Sequence, residues 1–306
     1  MLNIVLLVSS LVVALVSAIA RKYFMDKNFL GVAGSFIFNT ICSFIAGIVL
    51  LFWGGIGDVS TYTVIWGTVY GIVAAFQGVT FMLALETGPL SYTMVISSCS
   101  SIIPALSGLM FFGEDIGWSH IVGIILMVLC FIFATEKDKS KQKANFIWFI
   151  LCIVIFFLTG FVGIIQKIHQ NSPSKGELNL FLIVAFAVSS VLSLIVSLVL
   201  TLVQKRKNTP ETDSAEKAPA KNGSLIFMIL IMVFCGICYT INNKFNLYLS
   251  GVMPSAVFFP IINGGGLILT SLAAFIIFRE KLSKAKLFGL IFGILSVIFL
   301  CNPFNS

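Results

Sequence analysis

Five polar side chains interrupt one otherwise apolar stretch, GICYTINNKFNLYLSG. They are Tyr239, Asn242, Asn243, Lys244 and Asn246. On a helix, the tyrosine, one of the two adjacent asparagines and the last asparagine fall on a common face. An amide that faces lipid lacks hydrogen-bond partners, so this face is expected to line a bundle interior or a water-filled cavity. Such a face can bind a polar solute.

Lys244 has two interpretations. It lies five residues before position 249, where its helix is predicted to end. A lysine there can extend its ammonium to the membrane surface. Alternatively, it is a cation that lines the pathway and suits a carboxylate or phosphate. A charge costs roughly 2.5–3.5 kcal/mol at a helix centre and less near an end, so the energy leaves both interpretations open.

Other helices carry polar side chains that could complete this site. Tyr70 and Gln77 are seven residues apart and share a helix face. When the halves are overlaid with a shift of 166 residues, Gln77 maps near Asn242 and Asn243, so matching amides could form a pseudo-symmetric polar centre. Asn263 opens an Asn-Gly-Gly-Gly patch. The alternative for the amides is an interhelical hydrogen bond without a role in substrate binding.

Two patches of small residues also correspond under this shift. Ser97–Ser101 precedes Pro104, and Asn263–Gly266 follows Pro260. Proline and glycine loosen the backbone ladder of a helix, and interrupted segments in two halves of a transporter indicate a binding site. Tight helix packing through small side chains is the other interpretation.

Enzyme chemistry is not indicated by the sequence. The two histidines, His120 and His169, lie at predicted helix ends without companions. Cys235 and Cys238 have metal-ligand spacing, but they lack a second pair and are interpreted as packing residues. A phosphate-binding glycine loop is absent. We therefore predict a protein that is not an enzyme and that uses no cofactor and no metal.

Charged residues near helix ends are interpreted as structural. Glu114 and Glu280 are expected to cap the following helix or to pair with a loop cation. Lys22 and Lys167 close the first and sixth predicted helices. Both lysines are predicted to anchor at the membrane interface rather than to bind substrate.

The composition indicates a membrane protein. Of 306 residues, 58% are hydrophobic and only 10% are charged, whereas soluble domains have about 25% charged residues. Several apolar runs exceed the length of about 18 residues that marks a transmembrane candidate. We predict an all-α integral membrane protein with ten transmembrane helices, at 2–21, 29–53, 62–86, 90–112, 118–135, 145–168, 178–204, 224–249, 254–278 and 285–302.

The basic residues set the expected orientation. Counted from the N-terminus, the odd-numbered loops hold 16 of the 19 lysines and arginines. By the positive-inside rule, the odd loops lie in the cytoplasm and both termini lie outside. The basic residues belong to these loops rather than to one soluble face, so nucleic acid is not an expected partner. The charged segment 204–223 is predicted to be a flexible loop.

The sequence predicts two copies of one unit. Residues 1–135 and 145–302 each hold five predicted helices, and the loop 204–223 lies within the second copy. Because five is odd, the second copy must enter the membrane from the opposite side. The fold is thus expected to consist of two inverted five-helix repeats, with a binding site between them.

Recurring motifs carry a family resemblance. The first copy has Leu83-Ala84-Leu85, Pro104, Phe112-Gly113-Glu114 and Gly123; the second has Phe278-Arg279-Glu280-Lys281-Leu282-Ser283, Gly289 and Gly293. Together they resemble the EamA domain of the drug/metabolite transporter superfamily. The resemblance covers nearly the whole chain and implies a central cavity between the halves, with export or exchange of small metabolites or drugs.

These observations predict a secondary transporter for a small polar organic metabolite, working by alternating access in the plasma membrane. Its expected partners are that small-molecule substrate and the lipid bilayer, and its oligomeric state stays open. A multidrug exporter is an alternative within the same class. A membrane scaffold without transport is an alternative from another class. The residues expected to contact substrate are Tyr70, Gln77, Tyr239, Asn242, Asn243, Lys244 and Asn263.

Overall fold

The computed structural model describes residues 2–27, 31–54, 57, 59–87, 90–114, 117–134, 146–207, 225–277 and 284–300. Eleven α-helices and one 3-10 turn cover most of these residues. In chain order they are α1 (Leu2–Lys27), α2 (Gly31–Gly54), α3 (Thr61–Thr87), α4 (Leu90–Cys99), α5 (Ile102–Phe111), α6 (Trp118–Ala134), α7 (Phe146–Gln170), the 3-10 turn (Pro173–Glu177), α8 (Leu178–Lys207), α9 (Leu225–Val252), α10 (Ser255–Ile277) and α11 (Lys284–Leu300).

The predicted all-α class is confirmed. Each of the ten predicted helices has a counterpart among the described residues, and nine of them are single helices. Most helix ends predicted from the apolar runs lie within a few residues of the observed ends, although α1 extends to Lys27 and α8 extends to Lys207. The predicted loop 204–223 therefore begins later in the chain. Its residues 208–223, like the basic segments 135–145 and 278–283, lie outside the described residues.

The fourth predicted helix is divided into α4 and α5. At the break, the backbone N–H groups of Ser100 and Ser101 bond to carbonyl oxygens three residues earlier, each at 3.2 Å. The Ser100 hydroxyl also donates to the carbonyl of Ser97, at 2.5 Å. Pro104 becomes the third residue of α5, where a missing N–H costs little because the first four N–H groups of a helix lack intrahelical acceptors. The serine cluster and the proline together explain the break.

Length and hydropathy indicate a multi-pass membrane protein. Five helical segments are long and apolar enough to cross a bilayer: Ala33–Gly54, Thr61–Phe81, Phe146–Gln170, Pro173–Val203 and Phe227–Val252. Shorter apolar segments occur in the other helices, as in Trp118–Cys130. Large apolar side chains point outward along the bundle; Phe52, for example, is 89% exposed. Such a surface suits lipid rather than water.

The most extensive helix contacts join residues before 135 with residues after 145. The helix α6 packs on α11, and α2 packs on α8. The helix α3 lies against α7 and α8, while α9 lies against α1 and α2. The helix α10 contacts α5 and α1, and α4 and α5 contact α7. The interior of the bundle is therefore built jointly by both parts of the chain.

One apolar cluster supports the polar residues described below. It is centred on Tyr70, Phe181, Leu182, Phe186 and Leu247, which are at most 2% exposed. The ring of Tyr70 meets that of Phe181 edge to face, with centroids 5.3 Å apart. These contacts hold α3, α8 and α9 together and fix the direction of the Tyr70 hydroxyl.

Glycines bring α3 and α8 into close contact. A side chain at Gly67 or Gly71 would meet the backbone carbonyl of Phe181 or Ala185, respectively. The two glycines are four residues apart, so they lie on the same face of α3 and form a Gly-xxx-Gly pair. This close approach helps to position the polar end of α3 against α7 and the 3-10 turn.

A seam of buried serines joins α8 to α2. Asn39 donates to the hydroxyl of Ser193 at 2.9 Å. Ser190 and Ser197 donate to backbone carbonyls of α2, at 3.2 Å and 3.1 Å. Asn39 therefore makes an interhelical packing contact.

Candidate functional site

A buried polar network joins α3, α7 and α9. The hydroxyl of Tyr70 donates to Asn243 Oδ1 at 2.9 Å and accepts a hydrogen bond from Gln166 Nε2 at 3.1 Å. The other end of the Asn243 amide donates to the carbonyl of Tyr239, at 2.9 Å. Tyr70, Asn243 and Gln166 are 2%, 7% and 5% exposed, respectively. We call these three side chains the polar node.

The structure thus brings together two residues that the sequence predicted as site residues. Tyr70 and Asn243 meet across α3 and α9, but both bond to protein groups within a packed interior. Sequence reasoning missed Gln166, although a glutamine one turn before the end of α7 is itself a signal. The node connects the two halves of the chain and fixes the middle of α9.

Asn242 faces a different neighbour. Its Nδ2 donates to the carbonyl and hydroxyl oxygens of Ser10 on α1, at 3.0 Å and 3.1 Å. Its Oδ1 accepts from Asn246 Nδ2 at 3.0 Å, and Asn246 Oδ1 accepts from the Ser10 hydroxyl at 2.6 Å. The adjacent asparagines therefore serve two faces of α9. Asn242 and Asn246 remain partly exposed.

Gln77 is not joined to the asparagines of α9. Its Nε2 donates to the hydroxyl of Thr159 on α7, at 3.2 Å. The pairing resembles that of Asn242 with Ser10, since each joins an amide to a hydroxyl on a neighbouring helix. A single centre made of Gln77, Asn242 and Asn243 is therefore not formed in this arrangement. Gln77 is partly exposed and retains polar surface.

Lys244 points to the rim of the bundle. Its Nζ lies 4.0 Å from the centroid of the Trp53 ring, in the last turn of α2. Trp53 is 48% exposed. An ammonium over a tryptophan near a helix end suits the membrane interface. Of the two interpretations left open by the sequence, the contact favours the interfacial one.

Asn263 bonds within its own helix, and Tyr239 packs on a neighbouring helix. Asn263 Nδ2 donates to the carbonyl of Phe259 one turn earlier in α10, at 3.1 Å, and its side chain is partly exposed. The ring of Tyr239 packs on Phe186, with centroids 5.2 Å apart. The helix α10 continues through the glycine patch, and Gly264 lies against the side chain of Met127 on α6. This patch therefore serves close packing, one of the two roles that the sequence allowed.

The even-numbered loops meet at one end of the bundle, which we call the even-loop end. There, Lys167 of α7 forms an ion pair with Glu114 at 2.5 Å, and their side chains are 5% and 14% exposed. Lys167 also donates to the carbonyl of Met253 at 3.1 Å. The Glu114 carboxylate accepts from the backbone N–H of Ser255 at 2.7 Å and from its hydroxyl at 3.2 Å.

Two predictions change as a result. Lys167 is not an interfacial anchor, because its ammonium turns inward to a carboxylate. Glu114 does cap a helix and pair with a cation, but the helix is α10 rather than the following helix, and the cation belongs to α7. The partner of Lys167 lies 53 residues earlier in the chain, which hides the pair from local sequence patterns.

A second polar cluster lies at the same end. Ser60, just before α3, donates from its backbone N–H and its hydroxyl to Glu177 Oε2, at 2.9 Å and 2.8 Å. Its hydroxyl also lies 3.0 Å from that of Ser174. Thr63 Oγ1 lies 3.2 Å from His169 Nε2. These contacts and the Glu114 pair fasten the first half of the chain to the second at the even-loop end.

Comparison with known proteins gives a fold but no family. No protein-family model matches the sequence, and no curated protein matches it. Among solved structures, one described as "Crystal structure of protein" matches with a TM-score of 0.70 and 12% sequence identity. The match covers 98% of this chain and 96% of that chain. The likeness shows the fold alone.

Proposed function

We propose that the protein is a secondary transporter of a small polar organic metabolite, built from two inverted five-helix repeats. On this proposal it belongs with the EamA-type drug/metabolite transporters that its motifs resemble. It works in the plasma membrane, and a solute binds between the halves near the midplane of the bilayer.

One observation carries the proposal: the pattern of helix contacts stays the same when each helix is replaced by its counterpart in the other half of the chain. In chain order, α1, α2 and α3 correspond to α7, α8 and α9, the pair α4 and α5 corresponds to α10, and α6 corresponds to α11. The contact of α3 with α7 then corresponds to that of α9 with α1, and both contacts are extensive. Likewise, α3 with α8 becomes α9 with α2, and α4 and α5 with α7 become α10 with α1. The pairs α2 with α8 and α6 with α11 map onto themselves. This pattern is expected of two related units around a pseudo-two-fold axis.

The chemistry of the interior favours a hydrogen-bonding solute. Gln77, Asn242 and Asn263 are partly exposed amides in α3, α9 and α10. Among the described residues, the buried charges Lys167 and Glu114 are paired with each other. Amides therefore offer the recognition groups, and the polar node holds the helices that carry them. This supports a small polar metabolite over a cationic drug, for which an unpaired buried carboxylate would be expected.

The substrate can be found by profiling metabolites in cells that lack or overproduce the protein. The solute that changes is then offered to purified protein in liposomes. Asn243→Ala should impair its transport and leave membrane insertion intact, because Tyr70 and Gln166 lose the group that links them to α9.

The matched control is Asn39→Ala, which also removes an amide with an interhelical hydrogen bond. That variant should retain most of the activity. Equal losses in both variants would indicate general destabilisation, and full activity of Asn243→Ala would remove this residue from the site. Liposomes that move no solute at all would favour a scaffold.

A further inference from the structure

His169 is a buried histidine at the junction of the two halves. It lies in the last turn of α7 and is 0% exposed. Its ring packs on Phe181 of α8, with centroids 4.3 Å apart, and its Nε2 faces Thr63 of α3. The ring is therefore enclosed by helices from both parts of the chain. None of the substrate-facing residues proposed above contacts it through a hydrogen bond that the structure records.

The hydrogen bonds define the protonation of this ring. Gln170 Nε2 lies 3.2 Å from His169 Nδ1. Because an amide nitrogen only donates, Nδ1 accepts, and the ring proton lies on Nε2. Nε2 then donates to the hydroxyl of Thr63. This is the neutral imidazole, and a second proton on Nδ1 would set two donors against each other.

A carboxylate links the histidine to the even-loop surface. The hydroxyl of Ser60 donates to Thr63 Oγ1 at 3.1 Å and to Glu177 Oε2 at 2.8 Å, and Glu177 is partly exposed. Glu177 in turn holds Ser60 at the start of α3. The His169–Thr63 contact and the Ser60–Glu177 contact that closes the even-loop end are therefore joined through the hydrogen bond between Ser60 and Thr63. Separation of α3 from α7 and the 3-10 turn would break both together.

Among the described residues, the other titratable groups on the elements packed around the ring can be named. The 3-10 turn contributes Glu177 and the exposed Lys175. On α7 itself, Lys167 is paired with Glu114. The helix α3 contributes Tyr70, seven residues after Thr63 and bonded within the polar node. The helix α8 contributes the apolar ring of Phe181.

We infer that His169 is a proton-binding site whose occupancy is tied to the opening of the even-loop end. This inference rests on the proposed transport cycle. When the end opens, a proton from water binds the lone pair of Nδ1, and the Gln170 amide leaves that nitrogen. When the end closes, the proton returns to water, and Nδ1 again accepts from Gln170. Closure then requires deprotonation, and an acidic medium on this side favours the open form.

The test is a pH titration of the ring by nuclear magnetic resonance. The full chain is labelled with ¹³C-histidine and placed in nanodiscs. Because the chain has 2 histidines, the variant His120→Gln leaves one histidine signal, that of His169. To hold the even-loop end closed, a disulfide is formed in the double variant Ser60→Cys with Ser174→Cys. The hydroxyls of the two native serines lie 3.0 Å apart. In the reduced protein, the His169 signal should move from the neutral to the charged position between about pH 8 and pH 5, the range in which histidine changes charge.

After oxidation, the same signal should stay at the neutral position throughout. The control is the single variant Ser60→Cys under the same oxidant, which should titrate like the reduced protein. A signal that titrates equally with and without the cross-link would overturn the inference, as would a signal that never titrates in the wild type.

A second measurement avoids the double variant. The rate at which a membrane-impermeant maleimide labels Ser60→Cys is divided by the rate at which it labels Gly57→Cys. Gly57 is an exposed position with open space around it. The ratio should rise severalfold from pH 7.5 to pH 5.5, and His169→Gln should abolish this rise. A ratio independent of pH, or a rise that persists in His169→Gln, contradicts the inference.

These outcomes are separable from those of the proposed function. Neither measurement needs a substrate. A protein that transports but whose His169 does not titrate refutes only the proton site. A protein whose His169 behaves as expected but that moves no solute refutes only the transporter.

Discussion

The pair of Lys167 and Glu114 should be among the strongest side-chain couplings in the molecule. Removing one partner of a buried ion pair costs about 3–5 kcal/mol, because the other charge stays buried and unpaired. Here each partner keeps one neutral contact, Lys167 with the Met253 carbonyl and Glu114 with Ser255. The lower end of that range, about 3 kcal/mol, is therefore expected for Lys167→Met or Glu114→Gln alone. Glutamine preserves the oxygen that caps α10.

The double variant discriminates between coupling and independent effects. If the two groups acted independently, the losses would sum to about 6 kcal/mol, twice the single value. Because the second substitution removes a charge that has already lost its partner, we expect a total of about 3–4 kcal/mol and a coupling energy of about 2–3 kcal/mol. The free energy of unfolding is measured in mixed micelles by titration with a denaturing detergent.

The control for this cycle is Lys244→Met, which removes a lysine without an acidic partner in its recorded contacts. Its loss should be about 0.5–1 kcal/mol, the value of an exposed cation–π contact. Additive effects of Lys167→Met and Glu114→Gln would refute the reasoning, since they would mean that the pair contributes no interaction of its own.

Three further substitutions test separate parts of the structure. Gly71→Ala should destabilise the protein by about 1–3 kcal/mol, because its new methyl group meets the backbone of α8, whereas Gly57→Ala in open space should leave the melting temperature unchanged. Tyr70→Phe should cost about 1–3 kcal/mol in unfolding free energy, since two buried amides lose a partner; an unchanged value would show that water replaces the hydroxyl. On the proposed function, Lys244→Met should leave the rate of solute transport unchanged, and a large fall would return this lysine to the pathway.

The helices were predictable because the lipid environment imposes a simple rule. A backbone without water must bond to itself, so long apolar runs become helices with ends at charged or glycine-rich segments. The break in the fourth helix needed more than hydropathy. The residues around Ser97–Ser101 are as apolar as those around the glycine patch of α10, yet the helix is broken only at the serine patch. A serine hydroxyl can hydrogen-bond to the backbone, as that of Ser100 does to the carbonyl of Ser97, whereas glycine has no side chain that could do so.

The candidate site was predictable in composition but not in contacts. Polar residues in apolar helices had to face inward, and Tyr70, Asn242 and Asn243 do. Their partners, such as Gln166, lie on helices far away in sequence, and no local spacing indicates them. The same reason explains the wrong prediction for Lys167. A lysine near a helix end can either reach water at the membrane surface or pair with a buried carboxylate, and only the position of Glu114 decides between them.

The joint interior has a consequence for how the chain is made. Because α1, α2 and α3 find their main neighbours in α7, α8 and α9, the first part of the chain enters the bilayer with its serine, asparagine and tyrosine faces unmatched. A nascent chain that stops after 135 would expose those groups to lipid and present itself to membrane quality control. Synthesis of the second half then supplies the partners that the polar faces of the first half lack.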